Sequence, residues 1–128
     1  MHLEVSRRTD LALRAVRAVH AADGPVSGRA LAEQLETSPT YLAQAVAPVV
    51  AHGWLASRSG PNGGYLPTAA TASLSVLQVL EAVEGEIDDA QCVLAGGPCG
   101  TDRCAMHEAW CRGRAALRAA LATEPAVG

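Results

Sequence analysis

The sequence predicts a mainly α-helical winged helix-turn-helix domain followed by a C-terminal dimerisation helix. Three features predict it. Two short helical patterns are joined by a tight turn, the second opening on Ser38-Pro39. A hairpin pattern rich in Gly, Pro and Asn follows directly, in the position of a wing. A last helical pattern stands apart, behind a loop that holds three cysteines.

Leu11, Leu13, Val16 and Val19, with alanines between them, form a helical stripe from about Thr9 to Ala22, and Gly24-Pro25 ends it. Ser27 caps a short helix with Ala30, Leu31 and Leu35 on its inner face. Glu36-Thr37 makes the turn, and Ser38 followed by Pro39 at the first helical position opens a third helix. That helix runs through Tyr41, Leu42, Val46 and Val49 toward Gly53. From Trp54 to Pro67, two short strands flank the turn Gly60-Pro61-Asn62-Gly63-Gly64. Ser75 to Val83 reads as a fourth helix with Val76, Leu77, Leu80 and Val83 inward, ended by Gly85. The acidic linker Glu86-Ile87-Asp88-Asp89 leads into the cysteine loop. Asp102 caps a final helix to about Ala122, whose largest apolar residues are Trp110, Leu117 and Leu121. The expected divisions are a winged head over 1–85, a cysteine-rich loop over 86–103, and a dimerisation helix with its tail over 104–128.

At 128 residues the chain is long enough for one modest core. Phe is absent, and the aromatics are Tyr41, Trp54, Tyr65 and Trp110. Leu, Val and Ala must therefore build the core, and so thin a core favours a buried dimer interface. No run of about 18 apolar residues exists to span a membrane, and the N-terminus lacks a signal peptide's apolar stretch. The expected compartment is the cytoplasm, where cysteines stay reduced or hold metal. Net charge is −3 and Lys is absent. Residues 1–66 carry six Arg against five acids, and 67–128 carry four Arg against eight. So little positive charge per head calls for two heads on one near-palindromic duplex if the partner is DNA.

The loop reads Cys92-Val-Leu-Ala-Gly-Gly-Pro-Cys99-Gly-Thr-Asp-Arg-Cys104-Ala-Met-His107, with Cys111 a turn further on. A single cysteine is usually a small buried hydrophobe, but a Gly/Pro/Asp loop has little with which to bury three. Cys92, Cys99 and Cys104 are therefore expected to ligate a soft metal or an iron–sulfur cluster, the glycines letting the backbone wrap it. His107 shares a helical face with Cys104 and is a candidate fourth ligand. Cys111 lies about 10 Å along the helix from Cys104 at helical rise, which makes it a core, interface or spare thiol. Zinc is the alternative centre, with three thiolates and an imidazole, and a metal-free thiol switch is the third. An enzyme is not expected, since Glu108 is the sole nearby base and no phosphate loop or Ser/His/Asp constellation accompanies it.

In this order the parts resemble the Rrf family of winged helix-turn-helix regulators. The resemblance rests on Thr9-Asp10-Leu11-Ala12-Leu13-Arg14, Ser38-Pro39-Thr40-Tyr41-Leu42-Ala43-Gln44, Gly60-Pro61-Asn62-Gly63-Gly64-Tyr65, Leu80-Glu81-Ala82-Val83-Glu84-Gly85 and the Cys92/Cys99/Cys104/His107/Trp110 block. It implies a homodimeric transcriptional repressor, paired through the last helix, with a [4Fe-4S] or [2Fe-2S] cluster that senses redox state, nitric oxide or iron. In one branch of that family, an aspartate in a matching Thr-Asp motif ligates the partner subunit's cluster. This makes Asp10 the other candidate fourth ligand. The chain departs from the family in spacing its cysteines by six and then four residues, where five and five are usual. It also has Ala43 where an acidic residue is frequent, and it stops soon after the last helix.

For double-stranded DNA, the third helix offers its N-terminal N–H groups and the hydroxyls of Ser38 and Thr40 to phosphate, and Tyr41 and Gln44 to base edges. Arg58 is the only formally charged residue between Thr37 and Leu80, at the base of the wing, with Asn62 at its turn. Arg29, with Arg7 and Arg8, is placed for flanking phosphates.

Overall fold

The structure is a computed structural model that describes residues 4–87 and 104–128. Its first helix, α1 (Arg7–Ala21), opens two residues earlier than expected. Ser6 caps it, its Oγ accepting the Thr9 N–H at 3.2 Å. Leu11, Ala12, Ala15, Val16 and Val19 lie on one face at helical spacing and are buried. Helix α2 (Gly28–Gln34) is capped by Ser27, which accepts the Ala30 N–H at 3.1 Å, and it turns Leu31 and Ala32 inward. The chain reverses at Glu36, whose φ is +56°, so that Thr37 N–H reaches the Ala32 carbonyl at 2.9 Å. Helix α3 (Pro39–Ala51) follows, capped by Ser38, with Leu42, Ala45, Val46 and Val49 buried.

Strands β1 (Leu55–Arg58) and β2 (Gly64–Pro67) pair antiparallel, with Leu55 opposite Pro67 and Arg58 opposite Gly64. Val26 adds a third, single-residue rung: its N–H donates to the Tyr65 carbonyl at 3.0 Å and its carbonyl accepts the Tyr65 N–H at 2.8 Å. This close docking is why the turn carries Gly64, and the tightness of the turn itself is why it carries Gly63. A Cβ on Gly64, where φ is +134°, would run into the Val26 carbonyl, and one on Gly63 would meet the Arg58 carbonyl.

A short 3-10 turn, Thr71–Ser73, ties the wing's exit to its start. The buried Thr71 hydroxyl donates to the Trp54 carbonyl at 2.5 Å and accepts the Thr68 N–H at 2.8 Å. Helix α4 (Val76–Glu84) begins with a capping box of Ser75 and Gln78, and ends at Gly85 with φ +96°. Leu77, Val79 and Leu80 are buried; Val76 and Val83 are only half-buried, so the inward face is rotated toward Val79.

Helix α5 (His107–Thr123) buries none of its residues, and its last contact with the core is made by the tail behind it. Val76 N–H donates to the Glu124 carbonyl at 2.8 Å, Ala126 N–H to the Leu74 carbonyl at 2.8 Å, and Arg17 Nε to the Ala126 carbonyl at 2.8 Å. Ala126 and Val127 thereby join the core formed by α1, α3 and α4.

Candidate nucleic-acid interface and cysteine centre

On α3 the apolar side chains face the core and leave Ser38, Thr40, Tyr41, Ala43 and Gln44 outward. Tyr41 is 38% exposed, which is high for a side chain whose body could have packed inward. The Ser38 hydroxyl is committed to the Tyr41 N–H at 3.1 Å. Pro39 has no N–H, so Thr40 N–H is the donor this helix end keeps for an anion. Arg29, Arg58, Asn62, Arg7 and Arg8 are all exposed. Arg58 lines a shallow cleft of about 260 Å³ together with Ser27, Gly28 and Gly64, which sets the wing base beside the start of α2 and Arg29. His52 stacks on Trp54 at 4.4 Å between centroids, a support for the α3-to-wing junction with no obvious signal in the sequence.

Cys92, Cys99 and the proposed cap Asp102 lie outside the described residues. Cys104 is half-buried and precedes α5 in a turn, its carbonyl accepting the His107 N–H at 3.1 Å. The expectation that Cys104 and His107 share a helical face is therefore corrected. No side chain caps Met106, and the helix starts only at His107. The His107 ring instead meets Cys111, with Nε2 3.7 Å from Sγ, and Arg114 Nη2 lies 3.8 Å from the same sulfur. Among the described residues no three His, Cys, Asp or Glu side chains come together at metal-binding distance.

The stem of the loop is tied down by two carboxylates of α4. Glu84 accepts the Thr9 hydroxyl at 2.6 Å and the Ser6 N–H at 3.4 Å, which brings the first turn of α1 against the end of α4. Asp10, exposed on that turn, is one residue from this anchor. Glu81 accepts the Ile87 N–H at 3.2 Å and Arg118 Nη2 at 3.3 Å, linking the linker to α5. These two roles were not foreseen, because each joins residues far apart in the chain. Beneath α5 lies a cavity of about 560 Å³ lined by Leu13, Leu80, Ile87, Trp110 and Leu121, where the buried Trp110 N–H finds no acceptor among the described residues.

The model of the Rrf2 family, described as an iron-dependent transcriptional regulator, matches residues 5–124. The chain belongs to the Rrf2 family. Relatives of this Rrf2-family chain include the HTH-type transcriptional regulator IscR of Yersinia enterocolitica, 36% identical over 93 residues. IscR of Klebsiella pneumoniae is 33% identical over the same length, and each alignment covers 73% of this chain and 57% of the relative. The chain thus spans little more than half the length of these regulators, none of which is named as an enzyme. In fold it is similar to CymR, the global cysteine regulator of B. subtilis, with a TM-score of 0.80 at 23% identity over 98% of this chain and 94% of that one. It is also similar to IscR of T. potens, with a TM-score of 0.75 at 23% identity over 98% and 85%. The mainly helical winged-helix architecture expected from the sequence is the one these structures share. No helix among the described residues is long and apolar enough to cross a membrane.

Proposed function

We propose that this chain is a cytoplasmic, homodimeric transcriptional repressor that binds a near-palindromic operator through α3 and the wing. Its operator affinity is set by an iron–sulfur cluster at the cysteine loop. The observation that carries the reading is the joint presence of an outward polar face on α3 and the cysteine block in one Rrf2-family chain. Supporting the dimer, α5 carries Trp110, Leu117 and Leu121 yet buries none of its residues, and Leu117 is 47% exposed. An open apolar helix face of this kind fits a second copy of itself.

The donor set of Cys92, Cys99 and Cys104 fits an iron–sulfur centre, since thiolates are its usual ligands. Asp10 of the partner subunit or His107 fills the fourth position. When bound, the cluster supplies a centre that oxygen, nitric oxide or iron shortage can alter. The protein's part is to carry that alteration outward. Glu84 holds the stem of the loop to Thr9 and Ser6 on α1, and Glu81 holds it to Arg118 on α5. A shift of the loop therefore reaches both the DNA-reading head and the helix that spaces two heads. Anaerobic purification, with visible absorbance and iron, sulfide and zinc assays on one sample, tests the reading. Brown protein with iron and sulfide, and loss of colour with altered operator affinity in Cys99→Ala, are expected. Colourless protein with stoichiometric zinc would replace the cluster by a zinc centre at the same cysteines, and colourless metal-free protein by a thiol switch.

A further inference from the structure

We infer that the segment Glu124–Val127 is a latch that makes α5 and the base of the wing move as one body. Helix α5 ends at Thr123, and the carbonyl of the next residue, Glu124, accepts the Val76 N–H at 2.8 Å. No slack separates helix from latch, so a displacement of α5 acts at once on the start of α4. Among the described residues the helix is otherwise lightly held. It buries no side chain, and Arg118 meets Glu81 in a pair whose arginine is 47% exposed, the kind that contributes little.

The latch is built for an extended segment. Pro125 faces Ser75 in a single antiparallel bridge, where its missing N–H leaves no donor unpaired and its fixed φ favours an extended chain. Its neighbours make the bonds, Glu124 to Val76 and the Ala126 N–H to the Leu74 carbonyl at 2.8 Å. From α1, Arg17 Nε closes on the Ala126 carbonyl at 2.8 Å. Ala126 and Val127 are buried while Glu124 and Pro125 stay outside. An attachment of this size lies at the low end of stabilities within a fold, where segments open without global unfolding.

From the latch the contacts run on to the wing. Leu74 is buried, and its N–H donates to the Thr71 carbonyl at 3.2 Å. The buried Thr71 hydroxyl in turn holds the Trp54 carbonyl, and Trp54 leads directly into β1. This route enters α4 at its first turn, whereas Glu81 and Glu84 act on its last. The wing therefore follows the end of α5 that lies away from the cysteine loop. In a dimer paired through α5, a change in how the two helices meet would reach both wings; that consequence alone rests on the function proposed above.

Amide NMR spectra of the full chain, Arg17→Ala and Val127→Ala test the latch. The first variant removes the outer hydrogen bond and the second withdraws the γ-methyl groups from the buried end, and neither residue belongs to the wing. Both should shift one equilibrium between the same closed and open states. The amides of Leu74, Thr71, Trp54 and Tyr65 should therefore move in both variants, each along one straight line through its wild-type position. Shifts confined to the tail and the neighbours of the substituted residue, with the Trp54 and Tyr65 amides in place, would overturn the inference. Wing shifts in unrelated directions would overturn it too, since they mark separate local disturbances. Should Val127→Ala fail to fold, Pro125→Gly replaces it, an exposed position where added backbone freedom works against the extended segment. The readout needs neither DNA nor a filled cysteine loop, so its failure would leave the function proposed above standing.

Discussion

Thr9 donates its hydroxyl to Glu84 across 75 positions of sequence, at 2.6 Å, and it does so from a fully buried site at the start of α1. Thr9→Val keeps the shape and removes the donor. Hydrogen bonds to charged groups contribute about 1.5–3 kcal/mol, and Glu84 is itself exposed, so a loss near the lower end, about 1–2 kcal/mol, is expected. Thr9→Ser should recover most of it. Urea unfolding of the three proteins checks this, and equal midpoints for Val and Thr would reduce the contact to a passive one.

The wing turn makes a sharper contrast between two glycines. Gly60 has φ +99° with open space around it, so Gly60→Ala meets only the left-handed penalty of about 1–2 kcal/mol. At Gly64 the added Cβ also strikes the Val26 carbonyl, which accepts the Tyr65 N–H. Gly64→Ala should then cost about 3 kcal/mol or more, adding the loss of the paired Val26–Tyr65 bonds at about 1 kcal/mol each. Thermal unfolding that ranks the two variants equally would mean that Val26 moves aside freely.

These contacts also mark where the sequence stops being informative. Caps, turns and periodicity act within a few residues, and on that scale Ser27, Ser38, the hairpin and the inward leucines of α1 to α4 could all be read. The bond of the Thr9 hydroxyl to Glu84 has no signal in the sequence, because its partner is remote. Ala126 and Val127 carry no periodic signal, and their burial depends on the tail meeting Leu74 and Arg17. The Gly63-Gly64 pair announced a turn, but the third rung at Val26 that requires Gly64 comes from another part of the chain. In the candidate site, Tyr41, Gln44, Arg58 and Asn62 were named from their places on the third helix and the wing, and all four are exposed. The pairing of His107 with Cys111 rather than Cys104 depended on where α5 begins, and no cap in the sequence fixes that point.

Tyr65 gives the fold an alkaline limit. Burial against the core pushes its hydroxyl above the ordinary 10.0, because the phenolate would lose hydration there. The folded state therefore holds its proton to higher pH than the unfolded chain does. Its contribution to stability is complete below about pH 10 and is lost as pH rises through the folded value. Urea midpoints measured between about pH 9 and 11 should fall more steeply for wild type than for Tyr65→Phe. Parallel curves would show that the phenol ionises at no cost to the fold.

Arg58 and Gln44 should separate the two components of operator binding. Arg58 is the one formal charge on the stretch from Ser38 to Val79 and stands exposed at the end of β1, so its natural partner is a phosphate. Arg58→Ala should weaken binding to specific and non-specific duplex alike, and lower the slope of log affinity against log salt by about 1 per subunit. Gln44 is neutral and exposed on α3, so its loss should leave that slope unchanged. It should instead relax discrimination at one base pair by about 1–3 kcal/mol. Fluorescence anisotropy across a salt series, on an operator and on a scrambled duplex, distinguishes the two. An unchanged slope in Arg58→Ala would take the wing off the phosphate backbone, and a uniform loss in Gln44→Ala would make α3 a backbone contact rather than a reader of sequence.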